Sequence, residues 1–195
     1  MRIRRIGQPA SILPLDLVKQ HLKVETDVDD ALIQGIIAGA IDHVDGPRGW
    51  LGRALGEQTL EGTLDGGWPL CDRSALRLPY PPVLSIESVT YIDPDGVEQM
   101  LPESGYQVID SGEWSSYLAP AYGMSWPAVR CQEGSVTIQW KAGYATDDVP
   151  PSIKAALLLL IGHRYANREA IVTGTISTEL PLGVQDLLTP HRVFS

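Results

Sequence analysis

The spacing of apolar residues along the chain changes twice, and the changes divide it into three stretches. In "LPLDLVKQHLKV" (13–24), Leu13, Leu17, Leu22 and Val24 recur at roughly helical spacing, and Pro14 suits a first turn. "DDALIQGIIAGAIDHVD" then sets Leu32, Ile33, Ile36, Ile37, Ala40, Ile41 and Val44 on one broad face, which predicts a second helix capped by Asp29. Gly35 and Gly39 lie four apart on it, each costing about 1 kcal/mol relative to Ala, a cost explained by close approach of another backbone.

From Gly56 to Tyr144 the period falls to two. "EQTLEGTLDGG", "SIESVTYIDPDGVEQML" and "GSVTIQWKAGY" are short alternating runs split by Gly and Pro, and Asp95-Gly96 marks a hairpin. Helical spacing returns in "VPPSIKAALLLLIGHRYANREA", where Pro150 and Pro151 set the start and Ala155–Ile161 is an unbroken apolar run. A helix apolar all round at its start and polar at its end suits a central core element that emerges at a surface. The predicted class is therefore α+β, a single domain over 1–195. Two N-terminal helices (13–53) and one long C-terminal helix (151–170) would form a helical core, with an antiparallel β region inserted at about 56–144 and a C-terminal tail at 189–195.

Composition changes this picture little. The chain is 44% hydrophobic and 20% charged, within the range of folded domains, so a sizeable core is available. Its net charge of −9 argues against coating a nucleic-acid duplex. Arg2, Arg4 and Arg5 form a basic cluster that reads most simply as a solvated terminus. No leader-like apolar stretch follows Arg5, and the run ending at Ile161 is far short of the ~20 residues of a membrane span, so no membrane partner is expected. Cys71 and Cys131 read as reduced thiols rather than a disulfide framework.

Candidate chemistry is sparse. The histidines at 21, 43, 163 and 191 stand singly, without metal-ligand spacing, and Asp27, Asp29 and Asp30 suit helix capping better than calcium. No phosphate loop, dinucleotide fingerprint or nucleophile elbow is present. No catalytic, cofactor-binding or metal-binding residue is assigned, and no cofactor is expected. An enzyme assembled from dispersed residues such as His163, Glu169 and Asp186 would need a cleft.

Two surfaces invite contact instead. Trp114, Tyr117, Tyr122 and Trp126 crowd a short stretch with little charge, which could close a sheet end, meet a protein or stack on sugar. On the last long helix, Arg164 shares a face with Arg168, and Tyr165 shares one with Glu169, a set that favours recognition over catalysis.

The succession of "LPLDLVKQHLKV", "DDALIQGIIAGAIDHVD", "LRLPYPPVLSIESVTYIDPDG", "YQVI", "SWPAV", "VTIQWKAGY", "VPPSIKAALLLLIGHRYANRE" and "LPLGVQDLLTPHR" resembles the head–tail connector, or adaptor, proteins of tailed bacteriophages and related prophage proteins. The likeness runs from about Leu13 to Arg192 and rests on order and spacing rather than any one motif. It implies a structural protein rather than an enzyme. Such proteins form a ring, usually of twelve copies, that binds the portal protein, extends the DNA channel and docks neck or tail-completion proteins. DNA would pass its lumen without sequence-specific binding. The resemblance implies a place in the virion neck, with the host cytoplasm as the compartment before assembly. It also makes Arg164, Tyr165, Arg168 and Glu169, with Pro190, His191, Arg192 and Phe194 of the tail, candidates for the ring and portal interface. The stretch from Ser111 to Met124 departs from the family, so its role is open. A carbohydrate-binding accessory module is the alternative that the aromatic stretch supports.

Overall fold

The computed structural model describes residues 1–68, 75–110, 114–167 and 182–194. The chain starts with a strand. β1 (Arg2–Ile6) runs antiparallel to β2 (Gln58–Leu64), with Arg2 opposite Thr63 and Ile6 opposite Thr59. The three arginines that read as a solvated terminus each hold a carboxylate. Arg2 meets Asp65 at 2.8 Å, Arg4 meets Glu61 at 2.5 Å and Arg5 meets Asp45 at 2.9 Å. Ile3, between them, packs against the core of the sheet.

Next in the larger sheet comes β8 (Val136–Ala142), which alternates buried Val136, Ile138, Trp140 and Ala142 with half-buried Thr137, Gln139 and Lys141. That period of two is why it forms a strand with one face in the core. β4 (Val83–Ile92) flanks β8 with two register shifts, and β5 (Glu98–Met100) closes the order β1-β2-β8-β4-β5. The predicted hairpin joins β4 to β5. Asp93 accepts the Val97 N–H at 2.9 Å, and Gly96 supplies a positive φ of 90°. A second sheet has the order β3 (Leu76–Leu78), β7 (Ser116–Pro120), β6 (Tyr106–Asp110). Leu60, Leu78, Val89, Leu118, Ile138 and Trp140 form a core around these strands.

The helices build a separate core. α1 (Leu15–Leu22), α2 (Asp30–Val44), α3 (Pro151–Ala166) and α4 (Leu182–Leu188) enclose Val18, Ile33, Ala40, Ile153, Leu157 and Leu188. Here the predicted architecture is corrected. The described residues contain four helices and eight strands in two antiparallel sheets, and no single helical core built on one long C-terminal helix. Two observations explain the difference. The "LLLL" run is buried on one side only, with Leu157 and Leu160 inside and Leu159 47% exposed, so α3 is a packed wall rather than a central rod. The larger sheet also begins at Arg2, ahead of every helix, so the β region is not simply inserted between helical segments.

The two cores meet at Asp45, which is buried at the end of α2. Its carboxylate accepts the Leu55 N–H at 2.6 Å, the Gln58 amide at 3.0 Å and the Arg5 guanidinium at 2.9 Å. Asp45→Ala leaves these donors without their acceptor and is expected to cost about 3 kcal/mol in urea unfolding. The β1 clamp contributes to the acid limb of stability. Arg4, with Gln139, holds Glu61 below the usual carboxylate range, while the Gly134 N–H and Arg2 do the same for Asp65. A carboxylate lowered in the folded state stabilises it above the unfolded pKa, roughly 4, and loses that contribution as pH falls through the folded value. Urea midpoints are therefore expected to drop on acidification below about pH 4, and Glu61→Gln should flatten that decline.

Candidate assembly surface

The polar end of α3 is anchored before it is exposed. The Tyr165 hydroxyl donates to Asp29 at 2.5 Å, tying the last turn of α3 to the start of α2. Asp29 sits at the predicted capping position but makes no side-chain cap bond to its own helix. Arg164 lies across α2 beside Gly39, 3.4 Å from where a Cβ would stand, so no other backbone closes on this glycine. A Cβ at Gly35 would meet nothing within 4 Å. Arg168 and Glu169 lie outside the described residues.

The tail runs back along the body. The Ser152 hydroxyl and His191 are 2.7 Å apart, linking the start of α3 to the 3-10 turn Thr189–His191 that follows α4; Pro190 in that turn is exposed. The Val193 N–H donates to the Leu51 carbonyl at 2.8 Å, and Arg77 donates to the Phe194 carbonyl at 3.3 Å. Between these bonds the Arg192 guanidinium stands 4.3 Å from the Trp50 ring and 4.9 Å from the Phe194 ring. Each such contact contributes about 0.5–1 kcal/mol at a surface. Phe194 itself is 73% exposed. Trp50 and Arg77 escaped the sequence reading, because nothing in their local spacing pairs them with residues more than a hundred positions away.

The four aromatics of 114–126 divide among different settings. Trp126 is 6% exposed and stacks on Trp68 with ring centres 4.1 Å apart, a pair inside the sheet core. Tyr117 is half-buried in β7. Trp114 is 51% exposed, with the buried Arg53 guanidinium 5.3 Å over its ring. Tyr122 is 100% exposed at the tip of the turn after β7, with Met124 exposed beside it. A separate groove of about 750 Å³ lies between α2 and residues 8–15.

Among the described residues, no group of three His, Cys, Asp or Glu is placed to hold a metal ion, and no helix is long and apolar enough to cross a membrane. His163 and Asp186 are exposed on separate helices, and Glu169 lies outside the described residues. The chemistry on display is hydrogen bonding, ring stacking and apolar contact.

This architecture recurs in solved particle structures. A chain in the neck of an empty GTA particle, computed with C6 symmetry, superposes with a TM-score of 0.77. A chain in the virion of a native gene transfer agent (GTA) particle gives the same score. A chain in the neck of a native GTA particle, computed with C12 symmetry, gives 0.73. Each covers 100% of this chain and 97% of its own length at 22% identity. The fold is shared end to end. No protein-family model matches the chain, and no curated protein does.

Gly52 decides whether the tail can lie where it does. Its φ is +65°, and a Cβ there would collide with the Val193 carbonyl. Gly52→Ala is expected to destabilise the chain by about 1–3 kcal/mol and to speed amide exchange at Val193 relative to the rest of the molecule. Unchanged exchange at Val193 would show that the tail is held without this close approach.

Proposed function

We propose that this protein is a structural component of the neck of a phage-like particle. It acts there as a head–tail adaptor, a ring of copies on the portal protein that continues the DNA channel and receives the next neck or tail-completion protein. The observation that carries the reading is the full-length likeness to chains of gene transfer agent neck and virion structures, at a TM-score of 0.77 with 97% of the other chain covered. Neither chain keeps a large part for some other task. Ring formation draws support from the C6 and C12 symmetry used for those necks, and closure of a ring requires a head-to-tail contact between unlike patches.

On this reading, binding energy is the mechanism. The −9 charge, multiplied around a ring, gives a body that repels DNA and lets it slide. The tail from Pro190 to Phe194 and the end of α3 at Arg164 and Tyr165 are the surfaces assigned to portal and subunit contacts. The free chain would reside in the host cytoplasm until it joins the particle. A sugar-stacking platform gains no support, since Trp126 is consumed in the core and a face of Trp114 lies against Arg53.

The deciding measurement is native mass, taken alone and after mixing with the portal protein of the same particle. The adaptor reading expects one closed multiple of the chain on the portal. A chain whose mass is unchanged by the portal, and which forms no ring alone, would refute it.

A further inference from the structure

β1 stands at the edge of the larger sheet and brings little apolar surface to it. Of its two isoleucines, Ile3 packs on the sheet core and Ile6 is 37% exposed. Beside the strand ladder, what fastens it is charge. Its three arginines end on carboxylates of three different places: Asp65 just beyond β2, Glu61 within β2 and Asp45 at the end of α2. The outer two clips are open to water, with the Arg2 and Arg4 side chains 64% and 73% exposed, whereas the Asp45 side chain of the inner clip is fully buried. Exposed pairs of this kind hold weakly, and a buried one is lost when either partner loses its charge. The chain leaves β1 through Gly7, whose φ is +76° and around which a Cβ would meet nothing within 4 Å. It is held again at Ala10, whose N–H donates to the Glu57 carbonyl at 2.8 Å. A weakly buried strand, three clips and an unobstructed glycine together make a segment that can come away locally.

We propose that β1 is a strap released by protons: as Asp45, Glu61 and Asp65 are neutralised, Arg2–Ile6 leaves β2 while both cores stay folded. The clips open in order. Burial pushes the Asp45 carboxyl above the usual carboxylate range and the Asp42 charge on α2 pushes the same way, against the Leu55 N–H, Arg5 and Gln58. Glu61 is held low by Arg4 and by Gln139 of β8, and Asp65 by the Gly134 N–H, Arg2 and the Met1 amino group. The inner clip therefore opens first on acidification and the outer two follow. The sign of the linkage keeps the rest of the molecule intact through the first step. A carboxyl whose pKa is raised in the folded state binds its proton more tightly there than in the unfolded chain, so taking up that proton favours the fold. Between the Asp45 value and roughly 4, where unfolded carboxylates titrate, the chain is folded with Arg5 unpaired. Departure of β1 then bares the edge of β2, Gln58–Leu64, with backbone donors and acceptors facing water.

The test is amide-exchange protection of the full chain across a pH series, comparing β1 with the central strand β8. In the parent, protection at β1 should fall at a higher pH than protection at β8. A variant with Asp45→Asn, Glu61→Gln and Asp65→Asn imposes the released charge state at neutral pH. It should lower β1 protection there by roughly tenfold or more, with β8 still protected. A second variant, Arg2→Gln with Arg4→Gln, changes exposed side chains only and leaves Asp45 as the sole clip. Its β1 release should move to higher pH than the parent's, and it decides the matter if the first variant does not fold. Loss of protection at β1 and β8 together at every pH would overturn the strap, since the strand would then leave only by global unfolding. So would a neutralised variant that keeps β1 protected, or an arginine variant that releases β1 at the parent's pH.

Discussion

The buried carboxylate of Asp45 is the constraint around which the rest of the molecule is arranged. Taking a carboxylate out of water costs several kcal/mol unless donors converge on it. Burial pushes its pKa up, while the Leu55 N–H, Arg5 and Gln58 pull it back. To bring those donors together, α2 must stop at Val44, the chain must fold back within ten residues, β2 must start at Gln58 and β1 must lie alongside it. Two of the intervening glycines, Gly46 and Gly49, answer to the same crowding. A Cβ at Gly46 would strike the Arg5 guanidinium, and one at Gly49 would strike the backbone of Val44 and Asp45. One polar site thus sets the helical core against the sheet core.

With that joint fixed, the surfaces that remain available differ in stiffness. The start of β3 and the Trp50–Gly52 corner hold the tail by hydrogen bonds and an arginine between two rings. The turn after β7 has no comparable support at Tyr122. The adaptor role proposed above would use both kinds of surface, a rigid frame that sets angles between copies and a few side chains whose burial waits for a neighbour.

How much of this was legible in the sequence depends on how local its cause is. The α2 face, the start of α3 at Pro151 and the Asp95-Gly96 turn were readable, because period and turn chemistry act within a few residues. The β1 strand was not. Three arginines within five residues look like a solvated end until Asp45, Glu61 and Asp65 are known to stand opposite, some forty to sixty positions later. The "LLLL" run misled in another way. It is apolar all round, yet only the tertiary arrangement reveals which side is covered, and the uncovered Leu159 removes the notion of a central rod. Of the residues proposed for contact, Trp126 could not be separated from Tyr122 by composition, since the distinction is whether a second tryptophan, Trp68, lies within reach.

The order of strands in the larger sheet carries a consequence for how the chain is made. Its central strand, β8, is flanked by β2 and β4 and is the last of the sheet to be synthesised. As the polypeptide leaves the ribosome, β1 and β2 can pair early, but β4 has no partner on its inner side until residues 136–142 emerge. The sheet core therefore forms only once residues 136–142 have emerged. Until then the inner edge of β4 carries backbone donors and acceptors without a strand to receive them.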